Sequence, residues 1–175
     1  MTPFNFKSCG SNILIRFVQG ELALGSILVA SERGFCANFL GNNPEKLLQD
    51  LQNTFLNADI IGADRDYESL VAKEVGFIET PAIGLNLPLD IRGTAFQQRV
   101  WQALREIPVG KTLSCSQPAQ KIGKPKAVRA IASACAANKI AVTIPCHRVV
   151  SNDGVLSGYR WGLARKTSLL EKESK

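Results

Sequence analysis

Cys146 stands beside His147, the only histidine among 175 residues, in the run Ile144-Pro145-Cys146-His147-Arg148-Val149-Val150. A thiol next to an imidazole supplies the two parts of nucleophilic catalysis, an attacking group and a base. A free cysteine has a pKa near ~8.5 and is mostly protonated at neutral pH, so attack by Cys146 needs activation, for which His147 is the only local candidate. Neighbours along an extended chain point to opposite sides, which argues against a direct hydrogen bond between the two. The pair by itself suits a cysteine hydrolase as well as an acceptor of a transferred group, although no oxyanion motif is evident.

The elements around this pair are legible from periodicity and punctuation. Ile140 to Ile144 reads as a buried extended run that delivers Pro145 and Cys146, and Asn138 before it reads as the C-cap of a helix. That helix, Lys126 to Asn138, is built almost wholly of small residues, among them Ala127, Ala130, Ala132, Ser133, Ala134, Ala136 and Ala137. Arg129 is the one long side chain in its middle. So thin a helix can approach another surface closely. Ser114 and Gln117 form a capping box that opens a shorter helix through Cys115 and Ser116, and Ile122-Gly123 turns the chain before Pro125 opens the longer one. Two helices across a tight glycine turn make a helix-turn-helix candidate. Pro118 falls at about the fourth position of the short helix, where it would delete an early hydrogen bond. Upstream, Thr94 and Gln97 form another capping box, followed by Phe96, Val100, Leu104 and Ile107 as a buried stripe.

The first half carries no cluster of chemical groups. Asn12 to Val18, Leu22 to Ala30 and Gly34 to Leu40 read as an antiparallel meander, broken at Gln19-Gly20 and Ser31-Glu32-Arg33. Asn43-Pro44 starts a helix that presents Leu47, Leu48, Leu51 and Phe55. A second helix is expected from Tyr67 to Phe77, and Leu85 to Leu89 as extended chain. The stretch Leu87 to Gly93 marks a boundary between domains at 1–87 and 88–175. The fold class expected is α/β in the α+β sense.

Charge separates the halves. Residues 1–89 hold six Lys and Arg against ten Asp and Glu, whereas residues 90–175 hold fifteen against five. A basic half beside an acidic one suits a polyanion-binding face. No apolar run approaches the ~20 residues of a membrane span, and no signal pattern opens the chain, so a cytoplasmic protein is expected. Five cysteines without regular spacing fit a reducing compartment, with Cys9, Cys36 and Cys135 as small core residues. One histidine and no paired-cysteine spacing predict no metal.

The run around Cys146 resembles the active-site signature of the O6-alkylguanine-DNA alkyltransferases. Thr94-Ala95-Phe96-Gln97, Gly123 to Ala130, Ala136 to Lys139 and Ser157-Gly158-Tyr159-Arg160-Trp161-Gly162 are similar to that family in its order and spacing. The resemblance covers about Pro88 to Glu173 and is looser before. It implies a ribonuclease-H-like N-terminal domain without activity of its own and a mainly helical C-terminal domain. It implies that Cys146 takes an alkyl group from the O6 of a guanine in duplex DNA, once per molecule and without a cofactor, and leaves O4-alkylthymine open as a second substrate. His147 would act through a water, Glu173 would hold the other ring nitrogen, and Asn138 would hinge the helix to the cysteine loop. Arg129 would fill the gap left by the extruded nucleotide, on a minor-groove helix approached through Cys115, Ser116, Lys124, Lys126, Ala127 and Ala130. Pro145, Val149, Ser157, Gly158 and Tyr159 would line the alkylguanine pocket, and the protein would act as a monomer.

Two further expectations attach to the resemblance. Cys115 stands where the family has a tyrosine, which predicts slow repair. Met1-Thr2-Pro3-Phe4 resembles the junction where adaptive-response members pass from a regulatory region into the alkyltransferase, so the chain is expected to be part of a larger regulator. A non-catalytic lesion-binding protein is the alternative that Cys115 raises and the retained Cys146 opposes.

Overall fold

A computed structural model describes residues 13–22, 24–31, 35–62, 65–81, 89–154, 156 and 158–175. Strands β1 (Ile13–Leu22), β2 (Gly25–Ser31) and β3 (Phe35–Gly41) pair antiparallel in sequence, as the aliphatic runs predict. The expected break at Gln19-Gly20 is corrected. Both residues lie inside β1, opposite Leu28 and Ile27. The chain reverses instead just before Gly25, whose φ is 111° and whose place a side chain could not take, since a Cβ would lie 2.6 Å from the Gly41 carbonyl. A glycine favours a turn where a positive φ requires it, and Gly20 is not among the positive-φ glycines of the described residues.

Helix α1 (Pro44–Thr54) begins as its residues predict. The Asn43 side chain accepts from the backbone N–H groups of Glu45 and Lys46 at 2.9 and 3.3 Å, Pro44 fills the first turn, and Leu47 and Leu51 are buried. It carries the chain back to β4 (Ala58–Gly62), which runs parallel to β1 at the edge of a four-stranded sheet ordered β3-β2-β1-β4. The sequence shows no sign of β4, because two adjacent isoleucines, Ile60 half-buried and Ile61 exposed, break the alternation of apolar and polar residues that marks a strand. Helix α2 runs Arg65–Glu79, two residues longer at each end than expected. The expected extended segment at Leu85 to Pro88, like the boundary at residue 87, lies outside the described residues.

In the second half, α3 (Ala95–Arg105) starts with a complete capping box: the Gln97 N–H donates to Thr94 Oγ1 at 3.1 Å and the Thr94 N–H to Gln97 Oε1 at 3.0 Å. Val100, Trp101 and Leu104 are buried, and Trp101 Nε1 donates to the Ala134 carbonyl at 2.9 Å, tying α3 to the later helix α5 (Val128–Ala136). A two-residue strand β5 (Leu113–Ser114) pairs parallel with β6 (Val149–Val150), joining the entry of helix α4 (Ser116–Lys121) to the cysteine loop. Helix α6 (Leu163–Glu173) closes the chain. One contiguous apolar cluster runs from Ile15 and Phe39 through Leu104 and Ile131 to Cys146 and Leu169. Among the described residues no helix is long and apolar enough to cross a membrane.

Candidate active site

The segment before the cysteine is buried but not extended. Ile140, Ala141, Val142 and Ile144 are all buried, yet Thr143 N donates to the Ala141 carbonyl at 2.7 Å and Ile144 N to the Ile140 carbonyl at 3.2 Å, which is a turn. Val142 takes a φ of 67°. A short apolar run reads the same whether it is a strand or a buried turn, because periodicity needs an exposed side to show. Pro145 then leads into a 3-10 turn over Cys146–Arg148, with the Arg148 N–H on the Pro145 carbonyl at 3.0 Å. Cys146 and His147 therefore do not sit on an extended chain, and the geometric premise for separating them is corrected. Their side chains are apart all the same, since His147 Nδ1 has no hydrogen-bond partner among the described residues.

His147 is fully buried, and its Nε2 lies 2.8 Å from Glu173 Oε1. Arg148 grips the same carboxylate through Nε at 3.0 Å and Nη2 at 2.7 Å, while its Nη1 donates to the Ile107 carbonyl at 2.6 Å. Burial by itself would raise Glu173, but the hydrogen bonds and charges of His147 and Arg148 outweigh it and hold the carboxyl at about 2. Burial pushes His147 down despite Glu173. The resting pair is thus a neutral imidazole on an ionised carboxylate. A carboxylate only accepts, so Nε2 carries the proton and Nδ1 keeps a free lone pair.

Cys146 is 4% exposed, and burial followed by its hydrogen bond with the Cys135 thiol keeps its own proton on. Asn138 Nδ2 donates to Cys146 Sγ at 3.2 Å and to the Ile144 carbonyl at 3.0 Å, and its Oδ1 accepts from Ile140 N at 2.9 Å. Asn138 is not the helix C-cap, which is Ala137; the residue after the cap has turned inward to hold the loop. Lys166 Nζ donates to the Val149 carbonyl at 2.6 Å, and its charge acts on the thiols of Cys146, Cys135 and Cys115. Sequence reasoning missed Arg148, Lys166 and the contact of Cys135. A signal existed for Lys166: with Leu169 and Glu173 it shares the buried face of α6 at helical spacing, where a lysine and a glutamate call for partners.

Of the expected pocket residues, Pro145 and Val149 are buried beside the thiol, Gly158 is exposed, and Ser157 lies outside the described residues. The Tyr159 ring stands edge-on to His147 at 6.5 Å and to Trp161 at 5.5 Å, with its hydroxyl buried and unpartnered among the described residues. A cavity of about 470 Å³ lies elsewhere, between Phe39, Asn42, Lys46 and Asp50 on one side and Arg160 and Arg165 on the other. Cys146 does not line it.

The expected groove-facing residues are on the outside. Lys124, Lys126, Arg129 and Ala130 are exposed, Ala127 and Ser116 half-buried. Helix α5 starts at Val128 and not at Lys126, because Lys124 to Ala127 form a turn of their own, with the Ala127 N–H on the Lys124 carbonyl at 2.9 Å. The second capping box is half formed. Gln117 Oε1 accepts from Ser114 N at 2.7 Å, but Ser114 Oγ meets Ser116 Oγ at 2.9 Å and Cys115 takes the N-cap position. Ser114 is committed to β5, which moves the helix start one residue on. Pro118 then falls at the third helical position, where the N–H has no intrahelical partner to lose, so the expected penalty disappears. Cys115 is half-buried, its N–H on the Val150 carbonyl at 3.1 Å.

A sequence profile described as the DNA binding domain of 6-O-methylguanine DNA methyltransferase matches residues 95–175. The chain is 53% identical to the bifunctional transcriptional activator and DNA repair enzyme Ada of Escherichia coli over 99% of its own length, and spans 49% of that protein. It is 38% identical to the inducible methylated-DNA–protein-cysteine methyltransferase of Bacillus subtilis, covering 77% of this chain and 75% of that one. A crystal structure of Mycobacterium tuberculosis OGT in complex with DNA is similar to the whole fold, with a TM-score of 0.75, 30% identity and 93% of each chain covered.

Proposed function

The chain belongs to the methylated-DNA–protein-cysteine methyltransferase family, and on that premise we propose that it moves the alkyl group of O6-alkylguanine in duplex DNA irreversibly onto Cys146. The observation that carries the proposal is the free lone pair of the buried His147 Nδ1, on the residue that follows a protonated thiol, with ionised Glu173 on the other ring nitrogen. The Cys146 proton passes to Nδ1 through a bridging water. Glu173 stabilises the imidazolium that forms, and Asn138 Nδ2 and the Lys166 charge stabilise the thiolate. The sulfur attacks the alkyl carbon, the bond from that carbon to O6 breaks, and the guanine takes back the proton. The product is a thioether, which thiol exchange cannot reverse, so each molecule acts once.

The remaining expectations fit this chemistry. The sheet order β3-β2-β1-β4, with β4 parallel to β1, supports a ribonuclease-H-like first domain. Helix α4, the turn at Gly123 with its φ of 76°, and α5 support a helix-turn-helix whose outer face, led by Arg129, meets the minor groove. Base extrusion costs a few kcal/mol, and Arg129 would fill the gap in the stack. At 4% exposure, Cys146 is within reach only of a base turned out of the helix. The partner is DNA carrying O6-alkylguanine or O4-alkylthymine, met by a monomer in the cytosol. The chain spans about half the length of its Escherichia coli relative. Intact-mass and peptide mass spectrometry after incubation with O6-methylguanine duplex will show a single methyl group per protein, on Cys146. Turnover beyond one equivalent overturns the suicide transfer, and tight lesion binding without an adduct favours a non-catalytic sensor.

A further inference from the structure

Seven polar side chains are buried among the described residues: Asn38, Glu74, Asn138, His147, Arg148, Lys166 and Glu173. Five of them make the site above. The other two, Asn38 on β3 and Glu74 on α2, come from the half in which the sequence shows no chemistry. They touch each other, with Asn38 Nδ2 donating to Glu74 Oε1 at 2.5 Å. Glu74 Oε1 also accepts from Thr143 Oγ1 at 2.9 Å, while Oε2 is buried with no partner among the described residues. A carboxyl sunk in the interior and half satisfied is costly, and such a group calls for a reason.

Asn38 reaches the same place by its backbone. Its N–H donates to the Lys139 carbonyl at 2.9 Å, its carbonyl accepts from Ala141 N at 3.0 Å, and Nδ2 donates to the Ala141 carbonyl at 2.9 Å. Residues 139, 141 and 143 are thus held from the first half. From the other side Asn138 holds the Ile144 carbonyl and Cys146 Sγ. Between the two grips lies Val142 at φ 67°, a conformation that a β-branched residue resists and that persists only where its surroundings impose it.

We propose that Glu74, with Asn38, is a positioning residue for Cys146: it clamps the strained 140–144 turn through Thr143 and so fixes where the thiol points. The first half is then part of the active site without touching substrate. The role rests on the methyl transfer proposed above, and its test is built to separate the two. Glu74→Leu removes the acceptor, Thr143→Val removes the donor and keeps the branching, and Glu74→Gln keeps an oxygen for both donors.

Three quantities are measured on the full chain: single-turnover methyl transfer from O6-methylguanine duplex, affinity for the unmodified duplex, and iodoacetamide labelling of Cys146 read by peptide mass spectrometry. Because a displacement of about 1 Å can cost up to about a hundredfold, Glu74→Leu and Thr143→Val are expected to slow transfer about tenfold or more. Labelling of Cys146 rises by a similar factor as the turn loosens, duplex affinity is unchanged, and Glu74→Gln behaves as the wild type. Folded Glu74→Leu and Thr143→Val proteins with wild-type transfer and labelling overturn the clamp, as does a Glu74→Gln protein as impaired as Glu74→Leu. If Glu74→Leu does not fold, Thr143→Val decides, since it deletes one hydroxyl at a half-buried position. A wild type that transfers no methyl group sinks the function, while labelling still decides the clamp.

Discussion

Cys146 holds its proton at rest, so the proposed transfer depends on where that proton goes and on what steadies the charge left behind. Glu173→Gln keeps a hydrogen-bond acceptor for the imidazole but removes the charge that stabilises imidazolium. General-base assistance is worth about a hundredfold or more, so methyl transfer should slow by at least about tenfold, from duplex DNA and from free O6-benzylguanine alike. Arg148 would lose its carboxylate while remaining 4% exposed. Breaking a buried pair from one side costs about 3–5 kcal/mol, which denaturant unfolding should register. Cys115 makes the opposite kind of prediction. If it replaces a tyrosine that helps turn the base and donates to the leaving guanine, the missing hydrogen bond is worth about 1–3 kcal/mol, or roughly a tenfold to hundredfold deficit in rate. Cys115→Tyr should accelerate transfer from duplex, and Pro118 at the third helical position leaves α4 intact to carry it. An unchanged single-turnover rate in a folded variant would show that another group has taken over the role.

At the scale of elements, α5 has two faces of different kinds. Ile131 and Ala134 face the core, where α5 receives the Trp101 hydrogen bond from α3, while Arg129, Ala130, Ser133 and Ala136 are exposed. Small side chains on the outer face let the backbone come close to a groove, and one long cation stands out from them. Arg129→Ala should slow repair of duplex DNA severalfold while reaction with O6-benzylguanine, which needs no base extrusion, stays at the wild-type rate. Loss on both substrates would mean that Arg129 supports the pocket. Duplex affinity should fall with salt as expected for a few neutralised phosphates, with little sequence preference.

At the scale of the molecule, the two halves share one apolar cluster and meet through the Asn38, Glu74 and Thr143 network. That network gives stability a pH dependence. Burial raises the Glu74 carboxyl from 4.5 to about 7, against the weaker pull of Thr143 and Asn38. The folded state therefore holds a proton that the unfolded chain releases at lower pH. Stability is full below the unfolded value, declines as pH climbs, and has lost the contribution once pH passes the folded value. The loss is on the order of 3 kcal/mol. Glu74→Gln has no proton to lose, so its stability relative to wild type should rise between pH 5 and about pH 8, measured by urea unfolding at each pH. Parallel curves for the two proteins would show that Glu74 is solvated in the native state.

The sequence by itself determined the parts that local chemistry specifies. The Thr94 capping box, the Asn43-Pro44 helix start, the three antiparallel strands and the small-residue helix all depend on residues within a few positions of one another. Adjacent Cys146 and His147 pointed to a nucleophile and a base for the same reason. Tertiary structure decided what no neighbour in sequence could. Val142 in a left-handed turn, Pro118 harmless at its position and Ser114 claimed by β5 each follow from a partner far along the chain. So do Lys166 and Arg148, ordinary cations on paper, which become part of the site because α6 folds back under the cysteine loop. Glu74 is the clearest case. Its chemistry comes from burial and from a hydroxyl 69 residues away, and desolvation is a property of the folded interior that no local pattern encodes.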